Sequence, residues 1–138
     1  MKGILLISHG KMAEGTADTC RFIMGDSLAQ LDSCCLETGE APEHYGERLK
    51  EKIASVDTGD GVLIFCDLYG GTPCKEAILL LNDKLDLVAG MNFPIILEAL
   101  TDRLSGDVSV SDLIESSKAS IVDVKDAIRQ ISFSEGDE

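Results

Sequence analysis

Tryptophan is missing from this chain of 138 residues, and four Phe and two Tyr make up its whole aromatic complement. The core must therefore be aliphatic, built mainly from Leu, Ile and Val. Basic residues are also few: 12 Lys and Arg stand against 25 Asp and Glu, for a formal net charge of −13. Phosphate backbones select Lys and Arg, so this balance argues against nucleic acid and anionic membrane as partners. It favours a partner with a basic docking face. Long apolar runs are lacking too. Nothing approaches the ~18 apolar residues of a membrane-spanning helix. The N-terminus lacks the charged, apolar and cleavage regions of a signal peptide, so the expected location is the cytoplasm.

Metal-ligand and nucleotide signatures are absent as well. There are two His, and the five Cys (Cys20, Cys34, Cys35, Cys66 and Cys74) include no Cys-x-x-Cys spacing. Zinc binding is not indicated, and the cysteines read as reduced, mostly core residues. The glycine-rich segments lack the Gly-Lys-Ser/Thr ending of a nucleotide P-loop, and no GxGxxG follows a strand. No metal and no cofactor are expected. No repeat, low-complexity segment or linker divides the chain. Its length fits one domain spanning 1–138, with a polar, acidic and flexible tail at about 132–138.

What is present is an alternation of strand and helix signals. Apolar runs with β-branched content mark strands at Lys2–Ser8, about Ala29–Leu36, Val62–Cys66 and Leu85–Ala89. Between them, a helix is expected over Met12–Met24, with Met12, Thr16, Cys20 and Ile23 on its apolar face and Gly25 as its stop. Pro42 opens a helix bearing Tyr45, Leu49 and Ile53 at four-residue spacing. Thr72-Pro73 reads as N-cap and first position of a helix to about Leu81, and Pro94 begins another to about Leu104. Ser109 with Asp112 matches a capping box. One long helix is expected beyond it, carrying Val110, Leu113, Ile114, Ile121, Val124, Ile128 and Ile131. Nearly all-apolar strands alternating with helices predict an α/β fold in three layers. Its mainly parallel sheet of about four strands would be covered on both faces. If the strand order is 2-1-3-4, the switch point falls between strands one and three, where such sheets bind ligands.

Two residues then become the focus. His9 ends strand one and is followed by Gly10; Asp67 follows strand three and leads into Leu68-Tyr69-Gly70-Gly71-Thr72-Pro73. An ordinary imidazole titrates near ~6.5 and is largely neutral at cytosolic pH, so its ring nitrogen can act as a nucleophile. A carboxylate on the other nitrogen fixes tautomer and orientation. Glycines let backbone approach closely, and the free amides of a helix start suit an anion. The Thr72 hydroxyl adds a donor. Together these residues suit phosphoryl transfer to nitrogen. The plainer alternative is that His9-Gly10 merely ends a strand and Gly70-Gly71 merely turns a loop. His44, at a helix start among charges, reads as a solvated surface residue.

The combination of Ser8-His9-Gly10, Ala13-Glu14, Asp67 to Pro73 and Gly90-Met91-Asn92-Phe93-Pro94 resembles the IIA component of the mannose-family sugar phosphotransferase system. The resemblance spans essentially the whole chain. It implies a phosphotransferase with a phosphohistidine intermediate. His9 would take a phosphoryl group from the carrier HPr and pass it to a IIB component, which phosphorylates the sugar entering through the IIC/IID permease. Asp67 would hydrogen-bond the histidine. Gly10, Gly70, Gly71 and Thr72 would surround the phosphoryl group, with Lys11, Leu68 and Tyr69 facing partners. The family is commonly a homodimer and can exchange a C-terminal segment between subunits. Some members carry an aromatic residue two positions after the active histidine, where this chain has Lys11. Others fuse IIA to IIB, whereas here a separate IIB is expected. Two other functions compete: a phosphocarrier feeding dihydroxyacetone kinase, and a regulatory module that binds a partner in a phosphate-dependent way.

Overall fold

The computed structural model describes residues 1–136, with side-chain surroundings to residue 132. Four strands, β1 (Gly3–His9), β2 (Leu31–Leu36), β3 (Val62–Cys66) and β4 (Leu85–Ala89), form one parallel sheet in the order β2-β1-β3-β4. This is the order the strand pattern required for a switch point between β1 and β3. The register aligns Ile7 with Cys66 and His9 with Leu36. It therefore carries His9 two residues past Ile7, the last residue of β1 that pairs with β3.

Among the described residues, six α-helices accompany the sheet: α1 (Met12–Met24), α2 (Pro42–Val56), α3 (Thr72–Leu80), α4 (Phe93–Asp102), α5 (Val110–Lys118) and α6 (Val124–Gly136). Alternate side chains of the central strands feed two aliphatic cores. Ile4, Leu6, Leu63 and Phe65 pack with residues of α1, α4 and α5. Leu5, Ile7, Val62 and Ile64 pack with residues of α2 and α3. With both faces of β1 and β3 buried, every residue there is apolar except Ser8 and His9, which is why those runs read clearly.

Several expectations need correction. The buried face of α1 is Ala13, Ala17 and Cys20, while Met12 and Ile23 are exposed. Small side chains let α1 lie close to the sheet, and the bulkier residues are rotated outward. Strand β2 begins at Leu31, not Ala29, because Gln30 turns through a left-handed backbone (φ 51°), although its carbonyl still accepts from the Ile4 amide. The Arg103 guanidinium donates to the carbonyls of Ala29, Gln30 and Lys2, pinning that bend. Helix α4 starts at Phe93, capped by the Asn92 side chain, and tightens into a 3-10 turn over Arg103–Ser105. The N-cap of α3 is Gly71, with Thr72 already inside the helix.

The expected long C-terminal helix is two helices. Ser117 and Ser120 hydroxyls donate back to the carbonyls of Ile114 and Ser117, and the Ala119 amide donates to Ser116, closing α5 in a tight turn. The Asp123 carboxylate accepts from the Asp126 amide and starts α6. Ser109 caps α5 through the Asp112 amide, as its sequence position implied. The tail at 132–138 is helical to Gly136; residues 137 and 138 lie outside the described residues.

Candidate functional site

The carboxyl ends of β1 and β3 meet at the switch point, and there His9 and Asp67 touch. The Asp67 amide donates to the Ile7 carbonyl, extending the ladder by one bond beyond β3. Its carboxylate then turns onto His9. Oδ2 accepts from the His9 backbone amide at 2.9 Å and lies 2.7 Å from ring Nδ1. Oδ1 accepts from the Leu68 amide at 2.9 Å. Burial pushes the Asp67 carboxyl up, but the hydrogen bonds from the His9 amide, the His9 ring and the Leu68 amide outweigh it. The carboxyl sits below its ordinary range. It is therefore ionised at neutral pH and fixes Nδ1 as the protonated nitrogen. The lone pair is left on Nε2, which has no hydrogen-bond partner among the described residues. The Asp67 side chain is 10% exposed and that of His9 is 45% exposed. The carboxylate is sheltered and the imidazole is open to a partner.

Gly71 lies against the other edge of the ring. A Cβ at that position would stand 2.7 Å from Nε2 and closer still to Cε1. Only glycine allows the start of α3 to lie against the reactive edge of the imidazole. No side chain caps the first turn of α3, where Pro73 has no amide hydrogen and the Lys75 amide donates to the Gly71 carbonyl; the Thr72 and Cys74 amides are left to an anion beside Nε2. Gly70 precedes it in a left-handed backbone (φ 105°), and Thr72 follows in the first turn. Gly10, at φ 56°, turns the chain from β1 toward α1, and its amide donates to the Leu36 carbonyl. Leu68, Tyr69 and Lys11 are exposed around the pair, Tyr69 at 82%. The predicted site residues thus gather at the carboxyl ends of the two central strands.

His44 stands apart on α2, exposed, with Nδ1 2.6 Å from Glu40. All five cysteines are free thiols, and all but Cys35 are buried. Burial pushes the Cys66 thiol up to about 12. Among the described residues no cluster of His, Cys, Asp and Glu could hold a metal ion. No helix there is long and apolar enough to cross a membrane.

Two features escaped the sequence reading. A groove of about 610 Å³ opens beside the site, lined by Lys11, Met12 and Thr16 of the α1 segment and by Met91, Asn92 and Phe93. Its signal was the outward rotation of Met12, masked by the larger apolar weight of Met over Ala. The second is the buried hydroxyl of Ser8, whose partners lie in the following turn.

An open imidazole, its far nitrogen held by a sheltered carboxylate at the switch point of a parallel sheet, defines a class of α/β protein whose site is a single oriented histidine. The chain belongs to the family described as the PTS system fructose IIA component, which matches residues 3–132. It is 30% identical over 115 residues to the PTS system mannose-specific EIIAB component of Escherichia coli (strain K12), covering 80% of this chain and 34% of that protein. The chain thus spans about a third of that relative. The PTS system fructose-specific EIIA component of Bacillus subtilis (strain 168) is 26% identical over 121 residues, 86% of this chain and 81% of that one. Among solved structures, the PTS IIA protein associated with the fucose utilization operon from Streptococcus pneumoniae superposes with a TM-score of 0.82 at 26% identity. It covers 92% of this chain and 96% of that one. The mannose/sorbose specific IIA subunit from Enterococcus faecalis gives 0.68 at 27% identity, covering 88% and 94%.

Proposed function

We propose that this chain is a cytoplasmic phosphoryl carrier of a sugar phosphotransferase system, with His9 as the acceptor. The observation that carries the reading is the single Asp67 oxygen that holds both the amide and Nδ1 of His9. It leaves Nε2 as the nucleophile. The Nε2 lone pair forms a bond to the phosphorus of phospho-HPr. The bond from phosphorus to the donor histidine breaks, and its electrons return to the HPr imidazole. Positive charge that develops on the His9 ring is balanced by Asp67. The Gly10 turn, the Gly70 and Gly71 backbone, the start of α3 and the Thr72 hydroxyl surround the phosphoryl oxygens. Catalysis here is positioning and charge stabilisation. Transfer to a IIB component runs the same step in reverse, ahead of sugar phosphorylation at the IIC/IID permease. Lys11, Leu68 and Tyr69 form the rim that both partners meet, and the acidic chain suits partners with basic docking faces. The working unit is a homodimer.

Purified protein mixed with phosphoenolpyruvate, enzyme I and HPr should gain the mass of one phosphoryl group and lose it to a IIB component. His9→Gln should abolish the gain and His44→Gln should not. Phosphate mapped under alkaline handling to His44 or to a hydroxyl would contradict the assignment. So would a wild-type protein that never gains the mass.

A further inference from the structure

We infer that Ser8 is a positioning residue for His9: its buried hydroxyl locks the turn that carries the imidazole to the first turn of α1. The inference rests on His9 as the phosphoryl acceptor. Ser8 is the only polar residue within the otherwise apolar interior of β1, and it is fully buried. A lone hydroxyl there costs free energy unless both its donor and acceptor capacity are used. Both are used on the two sides of His9. Ser8 Oγ donates to the Gly10 carbonyl at 3.0 Å, across the histidine, and accepts from the Ala13 amide at 2.8 Å.

The second bond does the work of a helix cap. Lys11, at the N-cap of α1, makes no side-chain cap bond, so the Ala13 amide would otherwise be a buried donor without a partner. Ser8 supplies that acceptor from the preceding strand. The residues between, His9 to Met12, are thereby held at both ends. Asp67 fixes the ring and amide of His9 from β3, while Ser8 fixes the Gly10 peptide and α1. The same bonds place Lys11 and Met12, which wall the groove beside the site, in register with His9. Without the hydroxyl, Gly10 can relax from its left-handed turn, and the ring can leave Asp67 for the open side.

The test compares Ser8→Ala, Ser8→Cys and Ser8→Thr with wild type. Thr keeps the hydroxyl; Cys keeps the shape but offers only a weak sulfur acceptor. Long-range proton–nitrogen NMR on the unphosphorylated proteins reads the His9 tautomer without any donor present. Wild type and Ser8→Thr should show Nδ1–H alone, and Ser8→Ala a mixture with Nε2–H. The limiting rate of transfer from phospho-HPr should fall about tenfold in Ser8→Ala, the lower end for an outer partner of a functional histidine. Half-saturation by HPr should change little, Cys should fall between, and Thr should restore the rate. If Ser8→Ala fails to fold, the order Ser, Thr, Cys decides. A folded variant lacking the hydroxyl, with wild-type tautomer or rate, overturns the inference. So does a rate loss that Thr does not restore. Wild-type protein that takes no phosphate at His9 would instead remove the underlying reading, and the tautomer comparison would still stand.

Discussion

One carboxylate oxygen bonded twice to one histidine sets the chemistry of the site at the residue scale. Asp67 has opposing effects on His9. Its charge repels an incoming phosphoryl group. It also fixes the tautomer and balances charge on the ring during attack. Orientation wins, because losing such a partner costs ~10–100-fold at comparable histidines. Asp67→Ala should slow transfer from HPr by that factor in a protein with unchanged circular dichroism; quench-flow kinetics measures it. Asp67→Asn should be milder but not silent. Its amide oxygen can still accept from His9, yet its NH₂ then faces the Leu68 amide, where Oδ1 now accepts. Gly71→Ala is the sterner change, since the new Cβ falls 2.7 Å from Nε2. Because His9 is exposed, the ring can swing away, so the fold should persist while phosphoryl acceptance is lost. A well-folded Gly71→Ala protein with normal rates would show that Nε2 is not the reacting atom. His9, Asp67 and the glycines were legible in the sequence because each sits next to an unmistakable apolar strand. The part played by Ser8 was not. It depends on the left-handed φ of Gly10, which decides where a hydroxyl buried in β1 can reach.

At the scale of elements, the strands and helices followed their periodicity, and the errors arose where local hydrogen bonds override it. The α5–α6 break contains neither Gly nor Pro. Serine hydroxyls that donate to the carbonyls three residues back end α5, and Asp123 starts α6. On α1, close fit outweighs bulk: Ala13, Ala17 and Cys20 face the sheet, and Met12 and Ile23 face outward. The connection from β2 to α2 supplies a pH-dependent element. Glu40 accepts two bonds from Arg48 and one each from His44 and the Glu37 amide, with its side chain only 5% exposed. Chiefly the Arg48 guanidinium, against the cost of burial, holds the carboxyl down from 4.5 to about 2. A depressed carboxyl contributes stability that is fully present above its unfolded value and is lost as pH falls through the folded one. The stability gap between wild type and Glu40→Gln should therefore be largest near neutrality and close as pH drops from 4.5 toward about 2. Urea titrations across that range measure it. A gap independent of pH would mean that the ion pair is not its source.

For the whole molecule, the question is what covers α6. Val124, Ile128 and Ile131 lie on one face of that helix and are exposed, beside exposed Ile121 and Val122. A helix of 13 residues is marginal in water without a surface to pack on. The stripe was visible in the sequence, but whether it served the sheet or another chain was not, because that depends on the break after α5. A second copy is the occupant expected for a homodimer. Light scattering should give a dimer at micromolar concentration, and Ile128→Asp should shift it toward monomer. A wild-type monomer would refute the assembly.

If Asp67 reserves Nε2 of His9 for the phosphoryl group, the phosphorylated protein carries the mark of it. Proton–nitrogen NMR of the protein phosphorylated through phosphoenolpyruvate, enzyme I and HPr tests it most directly. The account predicts a phosphoramidate on Nε2 of His9, with Nδ1 protonated and still bonded to Asp67. Phosphate on Nδ1, or on any other residue, would contradict it.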